Sequence, residues 1–229
     1  MQTINATQGI RILDTKASAT LLSKVLWITT VGFLFTAFGA YIAPETSGFS
    51  FGIVILSFIL LFAIRWATQR SPALGLAMFY LFTVIMGVEV GPLIKMYLHL
   101  ANGEAIVFDA ALTTAVGMAV MALIAQIANF NYQKVGNYAV AALFGLIIVS
   151  IIAGFFRLMG PAAYSLYSWA GLAIFAVLLL VDFMRLRDSP ANATPVFMAL
   201  SIYLDALNIF LFLLQIFGNG GGRRDSKWS

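Results

Sequence analysis

Long apolar runs separated by short polar punctuation organise this chain. Uncharged apolar stretches cover residues 25–43, 110–130, 135–156 and 158–181. Three more are apolar but carry a charge in or beside them: 49–64 ends at Arg65, 73–94 holds Glu89, and 196–217 holds Asp205. Each is close to the 20 or so residues, at about 1.5 Å per residue, that a helix needs to cross a bilayer. Four and three make seven predicted transmembrane helices. They fill most of residues 1–229, which reads as a single polytopic membrane domain. A transmembrane barrel would show shorter segments of alternating polarity instead.

Turn-forming residues stand where connections are needed. Pro44-Glu45-Thr46-Ser47-Gly48 separates the first two runs and Arg70-Ser71-Pro72 the next pair. Gly160-Pro161, after Arg157, separates the fifth from the sixth, and Asp188-Ser189-Pro190-Ala191-Asn192 precedes the last. Residues 1–24 read as a polar N-terminal segment. The first apolar run is too long for a signal peptide and is read as a retained helix. Residues 219–229, rich in glycine and arginine, read as a flexible tail. No internal repeat suggests the inverted halves of a secondary transporter.

Composition narrows the function classes. The chain is 62% hydrophobic and 10% charged, with a mean hydropathy of +0.96. A soluble domain is about 45–50% apolar and roughly 25% charged, so the first partner of this chain is a lipid bilayer. No cysteine is present, and His99 is the single histidine. Disulfides, thiolate metal sites, paired-histidine haem ligation and an HExxH zinc site are therefore set aside. A retinal Schiff base would need a lysine in 196–217, which has none. Aspartyl intramembrane proteases carry Gly-x-Gly-Asp, whereas this chain has Leu204-Asp205-Ala206, so no enzyme is expected. Nothing points to nucleic acid.

Lysine and arginine set the expected orientation. The N-terminal side holds Arg11, Lys16, Lys24, Arg65, Arg70, Lys134, Arg185 and Arg187, eight in all. The other side holds Lys95, Arg157, Arg223, Arg224 and Lys227, five in all. The N-terminus is therefore expected in the cytoplasm and the C-terminus outside. Short termini without a targeting signal favour a bacterial inner (plasma) membrane.

Four ionisable residues fall within or at the edge of the apolar runs, where a charge costs a few kcal/mol and calls for a role. Asp205 is deepest, roughly 13 Å into the last run at about 1.5 Å per residue. Asn208 follows about one turn later and Gln215 two turns beyond that, a polar stripe that should face the bundle interior. Asp182 and Arg65 sit near the cytoplasmic ends of the sixth and second helices. Two readings fit them: headgroup-level charges, with Arg65 snorkelling, or partners that join Asp205 at one end of the bundle. Glu89 lies in Gly87-Val88-Glu89-Val90-Gly91-Pro92, where the Gly-xxx-Gly spacing allows close helix approach. Gly91-Pro92 reads as a helix break. Glu89 then either lines a cation path beside that break or faces water near the outer end.

These residues resemble a family. The Gly87–Pro92 element, Gly87-Val88-Glu89-Val90-Gly91-Pro92, is similar to the G-x-x-[apolar]-G-P element of the Bax inhibitor-1 family. Ala199-Leu200-Ser201-Ile202-Tyr203-Leu204-Asp205-Ala206-Leu207-Asn208-Ile209-Phe210 resembles its A-L-x-x-Y-L-D-x-x-N-L-F element. Asp182, in Val181-Asp182-Phe183, matches the family's second aspartate without the usual preceding tyrosine. The resemblance implies an all-α integral membrane protein in which six helices surround the C-terminal seventh. It also implies a pH-sensitive calcium leak, with Asp182 and Asp205 as the pH sensor and Arg65 as a latch to one of them. Some bacterial members bind a membrane-anchored AAA protease, which gives the alternative of a non-conducting regulator.

On that reading protons and calcium ions are the working ligands, and no cofactor is expected. Two carboxylates in a low-dielectric site resist joint ionisation and titrate as a pair. Arg65 would favour their ionised form, and protonation would loosen its contact and bias the cytoplasmic end toward opening. Calcium prefers several oxygen ligands. Asp205, Asn208 and Glu89 would offer oxygens along a path, with Asp205 the weak calcium contact, as a leak needs only loose, multi-site binding.

Overall fold

Seven α-helices follow one another along the chain: α1 (Ala6–Ile42), α2 (Phe51–Arg70), α3 (Pro72–Leu98), α4 (Gly103–Ile127), α5 (Tyr132–Phe156), α6 (Pro161–Arg187) and α7 (Pro195–Gly221). They belong to a computed structural model that describes residues 6–45, 51–156, 160–190 and 193–221. Every helix contains an apolar stretch of 19 to 27 residues, long enough to cross a membrane. The outward faces agree with a lipid surrounding. Phe108 and Leu123 on α4, Phe144 and Ile151 on α5, and Phe58 and Phe62 on α2 are all exposed, which water would penalise and acyl chains do not.

Prolines start several of these helices. Pro72 and Pro161 open α3 and α6 behind extended Ser71 and Gly160, and Pro195 opens α7. Proline suits a first turn because the amide it lacks would have no partner there. The turn from α3 to α4 rests on Asn102 and Gly103. Asn102 has φ 59°, a left-handed conformation that asparagine tolerates. A Cβ on Gly103 would stand 2.3 Å from the carbonyl oxygen of Tyr97.

Three boundaries differ from the sequence reading. Helix α1 already begins at Ala6, so most of the polar N-terminal segment is helical. Helix α7 runs to Gly221, which makes the start of the expected tail helical; the remainder, with Arg223, Arg224 and Lys227, lies outside the described residues, as does Arg157. Third, Gly91 and Pro92 do not break α3, which continues through them to Leu98. Proline removes one amide donor, that meant for the Val88 carbonyl. Membrane helices accept such a gap where neighbouring protein packs against them, and α1 presses on this turn.

Helix α7 is the axis of the bundle. Over half (56%) of its most apolar 18-residue window is buried, against 11% for α5 at the other extreme. It packs on α1, α3, α4 and α6, while α2 joins through α3 and α5 through α6. The tightest contact is α1 on α3. A Cβ on Gly39 would lie 2.1 Å from the Val84 carbonyl, and one on Gly87 would lie 2.2 Å from that of Thr36. The Gly-xxx-Gly spacing thus brings two backbones together. Tyr203 of α7 fills the adjoining centre. Its ring lies 5.0 Å from Phe33 and 5.7 Å from Phe79, and its hydroxyl shares a 2.7 Å hydrogen bond with Thr36. At the opposite side Arg187, ending α6, donates to the Ala125 and Ala128 carbonyls at the end of α4.

Candidate functional site: an aspartate pair at the α6–α7 seam

Ser201, Asp205, Asn208 and Gln215 are spaced four, three and seven residues apart, which puts them on one face of α7. That face turns toward α5 and α6. Ser201, Asp205 and Asn208 line a groove of about 390 Å³. Its apolar walls come from Leu143, Leu146 and Ile147 of α5 and from Tyr167 and Phe175 of α6. Further along, Ser168 of α6 donates to Gln215 at 2.9 Å. The polar stripe expected from the sequence is therefore a real face, interior to the bundle.

Asp205 is buried, 7% exposed, and its Oδ2 has no hydrogen-bond partner. Buried polar atoms are almost always paired, and among the described residues this oxygen is the exception. Asn208 is quieter: its Nδ2 donates to the Leu204 carbonyl one turn back. One turn from Asp205 toward the α7 N-terminus, Ser201 donates its hydroxyl to Oδ2 of Asp182 on α6. The other oxygen of Asp182 accepts from Arg185 at 3.1 Å. Asp182 is nearly covered (11%) while Arg185 is largely exposed (56%). Asp182 and Arg185 are the charged groups that bear on Asp205. Together these residues form a line running inward: exposed arginine, nearly covered aspartate, serine, buried aspartate.

Ser201 stands between the two aspartates read from the sequence, bonded to Asp182 and one turn from Asp205, and the arginine beside Asp182 is not the expected one. Arg65 is exposed on α2, a helix that packs on α3, and it forms no ion pair with Asp182 or Asp205. The arginine paired with Asp182 in this structure is Arg185. Its signal was available, because aspartate and arginine three residues apart on one helix are neighbours. Ser201 was also missed, although it stands four residues before Asp205.

Glu89 does not join the groove. It accepts a 3.1 Å hydrogen bond from Ser57, at the seam where α2 packs on α3. The path expected through Glu89, Asp205 and Asn208 is thereby divided into two separate places. His99 is exposed at the end of α3, its Nδ1 2.7 Å from the Lys95 carbonyl oxygen. Among the described residues no group of three or more His, Cys, Asp or Glu is placed to hold a metal ion. Asp205, Asn208 and Ser201 offer a passing cation a few oxygens, well short of the six to eight of a calcium cage.

Comparison with known proteins agrees with this architecture. The family model described as "Inhibitor of apoptosis-promoting Bax1" matches residues 18–222. An uncharacterised protein of Borreliella burgdorferi is 29% identical over 219 residues, covering 86% of this chain and 90% of its own. YrjE of Lactococcus lactis is 28% identical, covering 91% and 88%. The Escherichia coli inner membrane protein YbhL is 25% identical, covering 87% and 92%. With the matched region taking in all seven membrane-spanning stretches, the chain is a member of the Bax inhibitor-1 family of membrane proteins.

Proposed function

We propose that the protein is a pH-sensitive leak for calcium ions in a bacterial inner membrane, controlled by the Asp182–Asp205 pair. The observation that carries this reading is the buried, unpartnered Oδ2 of Asp205 in a groove that Ser201 also lines, with Ser201 bonded in turn to Asp182 and Asp182 to Arg185. Carboxylates that interact in a low-dielectric site titrate as a unit. Ionised Asp182 accepts from Ser201 of α7 and so joins the two helices at this end, while Arg185 of its own helix favours the ionised form. A proton on the pair weakens the Ser201–Asp182 bond, loosens the packing at this end, and lets the groove widen toward Asp205. Calcium then passes by loose contact with oxygens, as a leak requires. With the N-terminus cytoplasmic and the C-terminus outside, the Asp182 end faces the cytoplasm, so cytoplasmic acidification raises flux.

Proteoliposomes containing only this chain and a calcium dye test the proposal across a pH series. Wild-type flux rises as pH falls, and Asp182→Asn and Asp205→Asn both flatten the profile. A profile unchanged in both variants overturns the role of the pair. Absence of flux at every pH overturns the leak itself and favours the non-conducting regulator that engages another membrane protein, such as a membrane-anchored AAA protease.

A further inference from the structure

A second cavity, of about 570 Å³, lies on the other side of α7. That size falls within the roughly 300–1,000 Å³ of small-molecule sites. Leu207 and Phe210 of α7 form its floor, Ala37 and Ala40 of α1 one wall, and Ala111 and Ala115 of α4 the other. Helices α1 and α4 do not pack closely on each other, and the alanines leave a slot between them. Their neighbours on the same helices, Leu34, Phe38, Leu112 and Val116, are bulky and exposed. The slot is therefore a recess in a lipid-facing wall. All four contributing stretches cross the membrane, so its mouth meets acyl chains and not water.

The lining excludes a polar occupant. Its two buried hydroxyls are already engaged: Thr36 with the Gly32 and Thr83 carbonyls and Tyr203, and Thr114 with the Ala110 carbonyl. One end differs. Lys95, half-buried near the end of α3, lines the cavity, and Tyr41 stands at the same mouth, 83% exposed. The Lys95 ammonium donates to the Ala43 carbonyl, which leaves further donor hydrogens on a group that carries three. Tyrosine at the mouth sits where aromatic side chains meet headgroups. An apolar slot ending in a single ammonium matches one chemistry: an acyl chain joined to a phosphate.

We propose that this slot is a binding site for one phospholipid, drawn from the bilayer leaflet at the Lys95 end. One acyl chain lies between α1 and α4 against Leu207 and Phe210, and the phosphate rests on Lys95. A basic residue at the headgroup level of a gap between membrane helices is suited to that role. The site is independent of the aspartate groove and needs no conduction to be tested.

The test uses the full chain in phosphatidylethanolamine vesicles containing phosphatidylglycerol with a diazirine at the end of one acyl chain. Photolysis places the label on the Ala111–Ala115 turn and on Leu207, and native mass spectrometry finds one phosphatidylglycerol retained. Ala111→Trp, which fills the slot, abolishes both, and Leu123→Trp, on the lipid-facing side of α4, abolishes neither. Ala115→Phe repeats the first result if Ala111→Trp fails to fold. Lys95→Gln weakens retention about fivefold, the worth of one basic residue at a membrane surface, without moving the label. Labelling spread evenly over the lipid-facing helices, or labelling indifferent to Ala111→Trp and Ala115→Phe, overturns the proposal. So does a second copy of the chain filling the slot, seen as cross-links through Ala111 in place of lipid adducts.

Discussion

The two sides of α7 are built in opposite ways. Toward α1 and α3, backbones meet at glycines, and Thr36, Thr83 and Tyr203 find partners for their hydroxyls. Toward α5 and α6, a groove remains beside a carboxylate oxygen without a partner. Glycine content does not make the difference. A Cβ on Gly145 or Gly154 of α5 would meet nothing within 4 Å, so these glycines mark no close approach. The contrast teaches that in lipid, where apolar burial does not drive helices together, cohesion comes from close backbone contact and satisfied polar groups. The α1–α3 side has both. The α5–α6 side forgoes both at the position of Asp205, which is where a membrane protein would place a group meant to change state.

Substitutions on each side sharpen this contrast. The largest effect is expected at Gly87→Val, whose side chain collides with the backbone of α1: about 3 kcal/mol of stability, the upper end of overpacking. Gly145→Val should stay within about 0.5 kcal/mol, and thermal unfolding in detergent compares the two. Equal losses would break the distinction. Asp205→Asn should stabilise the protein by about 1 kcal/mol only above the pH at which the pair ionises, since there it replaces a buried, unpaired carboxylate with a neutral group, and should change little below it. Tyr203→Phe should act in the reverse direction, losing about 0.6 kcal/mol for one hydrogen bond inside a membrane bundle. The smallest change is at Arg185→Gln, a few tenths of a kcal/mol for an exposed ion pair. That substitution should still displace the pH profile of calcium flux, whereas Arg65→Gln should leave it in place. A profile moved by Arg65→Gln and not by Arg185→Gln would reverse the assignment.

The residues that were legible beforehand share a property: their signal is one-dimensional. Seven apolar runs predict seven helices because span length is fixed by bilayer thickness. The stripe through Asp205, Asn208 and Gln215 predicts an interior face because helical period alone decides it. Arg65 illustrates what this logic does not reach. Sequence gives its depth along α2, but which helix lies beside α2 depends on packing between surfaces that are apolar all round. The answer is α3, away from the aspartates. Pro92 shows a second limit. Its local preference is to end a helix, and tertiary contact with α1 overrides it. Glu89 was legible as a charge beside a cation path or facing water, yet its hydrogen-bond partner, Ser57, lies across a helix seam that no spacing rule reveals.

Arg187 carries a mechanical consequence. By bonding the terminal carbonyls of α4 it makes the last turn of α6 and the last turn of α4 a single tethered piece, like two staves under one hoop. Both helices also pack on the central α7. Helix α5 is held by α6 and by the short link from Ala128 to Asn131. Of the groove's three walls it has the weakest attachment, so a widening that leaves the hoop intact must be an outward swing of α5.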